Sequence, residues 1–253
     1  MSVVIFAGPT LYGTDATAVL DASYRGPAAQ GDVLRAALDE QTRIIGIIDG
    51  FFERIPSVWH KEILWAMAKG VHVFGAGSMG ALRAAELAAF GMEGVGKVYE
   101  AFAAGDLEDD DEVAVIHAPE EYRYRPMSEA MVDVRATMAA AEAAGVISSS
   151  SQRILVHEAK SLFYRERLYP RILSNALDQG ADLEEIGKLK AFLTHGRVNQ
   201  KQADALQMLA TIKRRLEEGL EPKLVDYSFE CSQHFYRALS DAGAFDPSEN
   251  EDF

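Results

Sequence analysis

The chain has 253 residues, 48% of them hydrophobic, which suits one large domain or two modest ones and is too apolar for general disorder. Asp and Glu number 39 against 25 Lys and Arg, and the resulting charge of −14 argues against a broad phosphate-binding surface, so no nucleic acid is expected as a partner. No run of about 18 apolar residues occurs, and MSVVIFAGPT has neither a basic leader nor a cleavage site, so no membrane partner is expected and the default location is cytoplasmic.

Four short β-branched runs stop at Gly, Asp or Ala-Pro: VVIFAG (3–8), RIIGIIDG (43–50), VHVFGAG (71–77) and EVAVIHA (112–118). Their apolarity is continuous rather than alternating, which predicts strands buried on both faces. Helical spacing of apolar residues fills the gaps, in GDVLRAALDEQ, SVWHKEILWAMAKG and SMGALRAAELAAFG. Ser57 and Ser78 are expected as helix caps, and Gly70 and Gly91 as helix ends. Strand and helix in alternation predict an α/β fold with a Rossmann-like parallel sheet.

From about Tyr122 the β-type runs give way to amphipathic patterns, with Ser128, Asp182 and Asn199 as expected N-caps. The expected organisation is therefore an α/β domain over 1–121 followed by an all-helical C-terminal region over 122–253, with a linker near 145–152. The acidic tail DPSENEDF is expected to fray. The single Cys231 excludes an internal disulfide and a multi-cysteine metal site, and is read as a small buried or half-buried hydrophobe.

In an open parallel sheet, ligands bind beyond the carboxyl ends of the strands. That rule selects Gly8, Pro9 and Thr10 after the first run, Asp49 and Gly50 after the second, Gly75 to Gly80 after the third, and His117 after the fourth. GAGSMG satisfies G-x-G-x-x-G, but a dinucleotide site also needs an acid at the end of the next strand, about 20 residues on, and no such strand is legible. No cofactor is expected. AGSMG departs from the nucleophile-elbow pattern only in Ala76 for Gly, and it places Ser78 where the amides of Met79 and Gly80 face an oxyanion or a carboxylate. The competing reading makes Ser78 a helix cap and the glycines packing spacers.

His60 is the base expected for Ser78, with Asp49 to orient it; His72, inside a strand, is weaker, and His117 is the reserve. Arg83 either pairs with Glu86 on its own helix or binds an anionic substrate end. The run DLEDDDEVAV (106–115) matches no EF-hand spacing and reads as a solvated loop, so no metal is expected.

Taken together, FAGPT, PAAQGD, IIGIIDGFFERIPSVWHKEIL, GAGSMGALRAAEL, GMEGVGKVYEAF and DDDEVAVIHAP resemble the TfuA-like family, in near-continuous order over the first half of the chain. The helical half, with AKSLFYRERLYPRIL, is similar but less diagnostic. The resemblance implies a partner of a YcaO-type enzyme in thioamide formation on a precursor peptide, which the chain meets only indirectly. It further implies hydrolysis of the C-terminal thiocarboxylate of a ThiS-like sulfur carrier, with Gly77 to Gly80 and Arg83 holding the thiocarboxylate. A non-catalytic docking or allosteric partner is the alternative, and a Rossmann dehydrogenase the third.

Overall fold

The computed structural model describes residues 2–51 and 55–241. Part of the FFER stretch and the acidic tail lie outside these residues. The strands are β1 (Ser2–Phe6), β2 (Ser23–Arg25), β3 (Thr42–Ile47), β4 (His72–Ala76) and β5 (Glu93–Val95). The helices are α1 (Asp32–Ala37), α2 (His60–Ala68), α3 (Met79–Leu87), α4 (Lys97–Ala104), α5 (Met131–Ala143), α6 (Ser149–Ser161), α7 (Tyr169–Asp178), α8 (Leu183–Phe192), α9 (Gln200–Glu218) and α10 (Gln233–Asp241). The chain forms two compact units, one from residues 1–108 with 204–253 and the other from 109–203. Residue 121, where the sequence suggests that the α/β half ends, lies inside the second.

The first unit is the expected α/β layer structure. Its five strands are all parallel, in the order β2-β1-β3-β4-β5. Val4, Phe6, Ile45, Ile47 and Val73 pack on one face with Val33, Ile63, Met67, Ala84 and Leu87 of α1 to α3. Val3, Ile5, Ile44 and Phe74 pack on the other with Ala205, Met208, Leu209 and Ile212 of α9. Burial on both faces is why the three central strands read as unbroken apolar runs. The cover of the second face comes from a helix that the sequence assigns to the all-helical half.

Several local expectations change. EVAVIHA forms no strand: Val113 and Ala114 are buried, but the Ile116 amide donates to Ser128 Oγ at 2.9 Å and Met127 N to the Ile116 carbonyl at 2.8 Å. Apolar content alone does not separate a buried loop from a strand. Ser128 is thus tied to that loop, and Ala130 takes the N-cap position of α5. At α2 the N-cap is Trp59, not Ser57, because Glu62 Oε1 accepts the Trp59 amide at 2.7 Å. Cys231 is exposed, in the stretch between α9 and α10.

In the second unit, Val134, Met138, Leu155, Ile172 and Leu189 share one core. Asp182 Oδ1 accepts the Glu185 amide at 2.9 Å, capping α8 as expected. Asn199 Oδ1 likewise accepts Gln202 N at 2.9 Å. Pro170, in the first turn of α7, divides the long amphipathic run in two, since proline fits there but not in a helix interior. Residues 145–148 lead into α6 and 149–152 are its first turn, with Ile147 buried and Ser148 Oγ accepting Ser151 N at 3.3 Å.

The acidic run is an ion-pair cluster rather than a solvated loop. Lys160 Nζ meets Asp109 and Glu112, each at 3.0 Å, and also Asp111. Arg135 grips both oxygens of the buried Glu112 at 2.9 and 3.0 Å, and Arg167 reaches Asp111 at 2.8 Å. The cations come from α5, α6 and the segment before α7, all distant in sequence.

Candidate active site at the carboxyl edge of the sheet

The strand order reverses direction between β1 and β3, and in a doubly wound sheet that reversal opens a crevice beyond the carboxyl ends of the two strands. Thr10 follows β1 and Asp49 follows β3, and they meet there. Asp49 is 2% exposed; its Oδ2 accepts the amides of Gly8 at 2.8 Å and Thr10 at 3.0 Å, and its Oδ1 accepts the Thr10 hydroxyl at 2.6 Å. Three donors on one carboxylate offset the cost of burying it.

The turn after β4 is joined to the same edge. Gly80 N donates to the Ile48 carbonyl at 3.1 Å, one residue before Asp49 and two after Ser78. A Cβ on Gly80 would come within 1.7 Å of the Ile47 carbonyl oxygen, so only glycine allows this approach of α3 to β3. Gly77 has φ of +71°, which turns the chain sharply from β4 into α3. Gly50 is also close-packed, though less tightly, with an added Cβ 2.8 Å from Met79 Cγ.

Ser78 occupies the N-cap position of α3, at φ −129° and ψ −127°, and its side chain makes no capping bond to the helix. Its amide donates to the Ala76 carbonyl at 2.7 Å. The amides of Ser78 and Gly80 are therefore committed to backbone carbonyls, and Gly77 and Met79 supply the remaining amides of the turn. Ser78 is 3% exposed.

The other expected site residues divide into two groups. His60 Nε2 bonds Glu86 Oε2 at 2.7 Å, and Arg83 Nη1 reaches the same oxygen at 2.6 Å while its Nε donates to the Val58 carbonyl at 3.1 Å. His60, Arg83 and Glu86 thus make a polar cluster of α2 and α3. Arg83 takes the local pairing that its spacing from Glu86 allows. The structure joins Asp49 to Thr10 and His60 to Glu86. Glu86 is the residue that sequence reasoning missed as a partner of His60, because the two are 26 positions apart.

His117 belongs to the second unit and lies in an antiparallel bridge with Pro126, not at a strand end. His72 sits at the start of β4, its Nδ1 3.3 Å from Glu93 and its Nε2 2.9 Å from the Glu221 carbonyl. Burial pushes the Glu93 carboxyl up, but hydrogen bonds from His72 and Arg215 and the charges of Arg215 and Lys223 outweigh it and hold its pKa down to about 2.

The strand demanded by the dinucleotide pattern does exist, as β5, in place of the gap expected from sequence. It is three residues long, carries Glu93 at its start and ends in Val95 and Gly96, so no acid stands at its carboxyl end.

Glu62 is the other buried carboxyl of this region. Its Oε2 accepts the amides of Gly31, Val33 and Leu34, and its Oε1 that of Trp59, so one side chain caps α1 and α2 together. Burial raises its pKa to about 7 against those four donors. It tightens the scaffold behind the crevice.

Comparison with known proteins adds one assignment. No curated protein matches the chain. Residues 49–168, from the buried carboxylate of the crevice to the segment just before α7, match the model of the TfuA-like proteins, and in that part the chain is similar to them.

Proposed function

We propose that the protein supports a YcaO-type enzyme in thioamidation of a peptide backbone by releasing sulfide from the thiocarboxylated C-terminus of a ThiS-like carrier. The match of residues 49–168 to the TfuA-like proteins is consistent with a role beside a YcaO enzyme in thioamide formation. The observation that carries the finer reading is the meeting of the Asp49 lock and the Ser78 turn at the switch point of the sheet, coupled through Gly80 N and the Ile48 carbonyl.

The chemistry is acyl transfer. The Ser78 hydroxyl attacks the thioacyl carbon, its proton passes to a base and from there to the departing sulfur, and the C–S bond breaks to release hydrosulfide. Water then cleaves the acyl-serine, returning the serine hydroxyl and a carrier carboxylate. The amides of Gly77 and Met79 at the start of α3 suit the charge that builds in the tetrahedral state. His60 is the base in this scheme, which requires its ring to leave Glu86. Arg83, on the same helix as Glu86, suits the carrier's anionic end.

The test is incubation of the protein with a thiocarboxylated carrier, with and without the YcaO enzyme, followed by intact mass. Conversion to carboxylate by the protein, lost in a folded Ser78→Ala variant, is expected. Undiminished conversion by that variant removes the serine role.

A second reading is favoured by the burial of Ser78 and by the His60–Glu86 bond. In it the same edge docks the carrier or peptide without altering it and activates the YcaO enzyme. A carrier whose mass never changes, with thioamide formation still dependent on the protein, is its signature.

A further inference from the structure

A cavity of about 950 Å³ lies wholly within the second unit, far larger than its packing requires and in the range of ligand-holding sites. Three large apolar side chains at its wall, Tyr122, Met127 and Leu168, are exposed. Deeper in, it is lined by Glu129, Asp133 and the buried Tyr169. One wall is the loop through Tyr122 and Arg125, in which the adjacent Arg123 and Tyr124 both hold positive φ, at 54° and 56°. Such a pair of non-glycine residues is uncommon and holds the loop in a fixed shape.

The chain's own Arg197 shows what this lining recognises. Its guanidinium lies 4.5 Å from the centre of the Tyr169 ring and donates to Glu129 Oε1 at 3.0 Å. Carboxylate and ring face together hold a cation carried on an apolar stem. Burial weighs on both carboxyls even beside their cations. Burial raises the Glu129 pKa despite Arg197, and it raises that of Asp133 to about 6 despite Lys201, whose amide donates to Asp133 Oδ1 at 3.0 Å. The net charge of −14 draws cations towards the protein from a distance.

We propose that this cavity binds an extended peptide segment with a single basic side chain between apolar neighbours, the cation entering beside Glu129 and Asp133 and the neighbours resting on Tyr122, Met127 and Leu168. The opening has room for a few residues, and apolar contact with the exposed rim supplies affinity while the carboxylates supply selectivity. An acidic side chain entering beside Glu129 and Asp133 meets two carboxylates; of the two arginines in the lining, Arg197 is committed to Glu129 and Arg125 lies in the wall loop, at an exposed position. The site stands whether or not Ser78 reacts, and its test uses no thiocarboxylate.

Three fluorescein-labelled pentapeptides with blocked C-termini, Ala-Leu-X-Leu-Ala with X as lysine, norleucine or glutamate, are titrated with the full-length protein and followed by anisotropy. The lysine peptide is expected to bind about tenfold more tightly than either of the others. Tyr122→Ala, at an exposed position, and Glu129→Gln are each expected to weaken the lysine peptide at least about fivefold without lowering the unfolding midpoint. No binding of the lysine peptide, equal or tighter binding of the norleucine or glutamate peptide, or a lysine preference that survives both substitutions overturns the proposal.

Discussion

Thr10 and Asp49, 39 positions apart, are locked by a hydroxyl-to-carboxylate bond of 2.6 Å and an amide-to-carboxylate bond of 3.0 Å, and the Gly8 amide adds a third donor. The lock fixes the ends of the two central strands where the sheet's winding reverses. It also engages both oxygens of the carboxylate that the chain order offers as an orienter for His60.

Replacing Asp49 with Asn keeps the shape but turns one acceptor into a donor facing donors. The expected loss is roughly 2–4 kcal/mol, because a buried group goes unpaired as charge-assisted bonds disappear. Thr10→Ser keeps the hydroxyl and should lose about 1 kcal/mol or less. Urea unfolding of the three proteins checks the order, and an Asp49→Asn midpoint equal to wild type contradicts it.

Two glycine substitutions should act in opposite directions. Gly80→Ala drives a Cβ into the Ile47 carbonyl, and separating α3 from β3 should cost about 4 kcal/mol or more. Gly187, inside α8, has open space around it, so Gly187→Ala should stabilise by roughly 0.5–1 kcal/mol. Thermal midpoints compare the pair.

Glu93 predicts an acid limb. Its folded pKa of about 2 lies below the ordinary 4.5, so its contribution is complete above 4.5 and disappears as pH falls from 4.5 towards 2. The gap in urea midpoint between wild type and Glu93→Gln should be constant near neutrality and close across that window. A gap unchanged at pH 2 would show that the Glu93 charge contributes nothing.

Arg167 is 0% exposed and donates to the carbonyls of Ala159, Leu162 and Asp111 and to the Asp111 carboxylate. Arg167→Met fills the volume but leaves buried acceptors unpaired, at an expected cost of about 3–5 kcal/mol. Both tryptophans, Trp59 and Trp65, lie in the first unit, so their fluorescence reports on the other unit poorly. Hydrogen exchange is the better measure, with faster exchange expected in α5 and α6 than in wild type.

What the sequence reveals follows burial. β1, β3 and β4 are buried on both faces and announce themselves as apolar runs, whereas β2 and β5 are three-residue edge strands with half-exposed or exposed side chains and no β-branched run. The Asp182 and Asn199 caps are legible because their partners are three residues away. Glu62 is hidden for the opposite reason, since three of its four donors belong to another helix.

The candidate site was partly legible on the same grounds. The strand-end rule finds Thr10, Asp49 and Ser78, because strand direction fixes where their backbones lie. It does not find who bonds whom: His60 turns to Glu86, and Arg83 follows it. The second-unit cavity draws on residues from 117 to 199, brought together only by folding, although the dense PEEYRYRP stretch marks its wall in sequence.

The position of α9 also bears on how the chain emerges from the ribosome. Val3, Ile5 and Ile44 are made early, yet the helix that covers them runs from 200 to 218, and the residues of it that pack there, from Ala205 on, follow the second unit. At roughly 5–20 residues per second, that face of the nascent sheet stays open to water and to other sticky surfaces for on the order of 10 s or longer. Chaperone occupancy during translation should therefore concentrate in the interval between completion of β4 and emergence of α9.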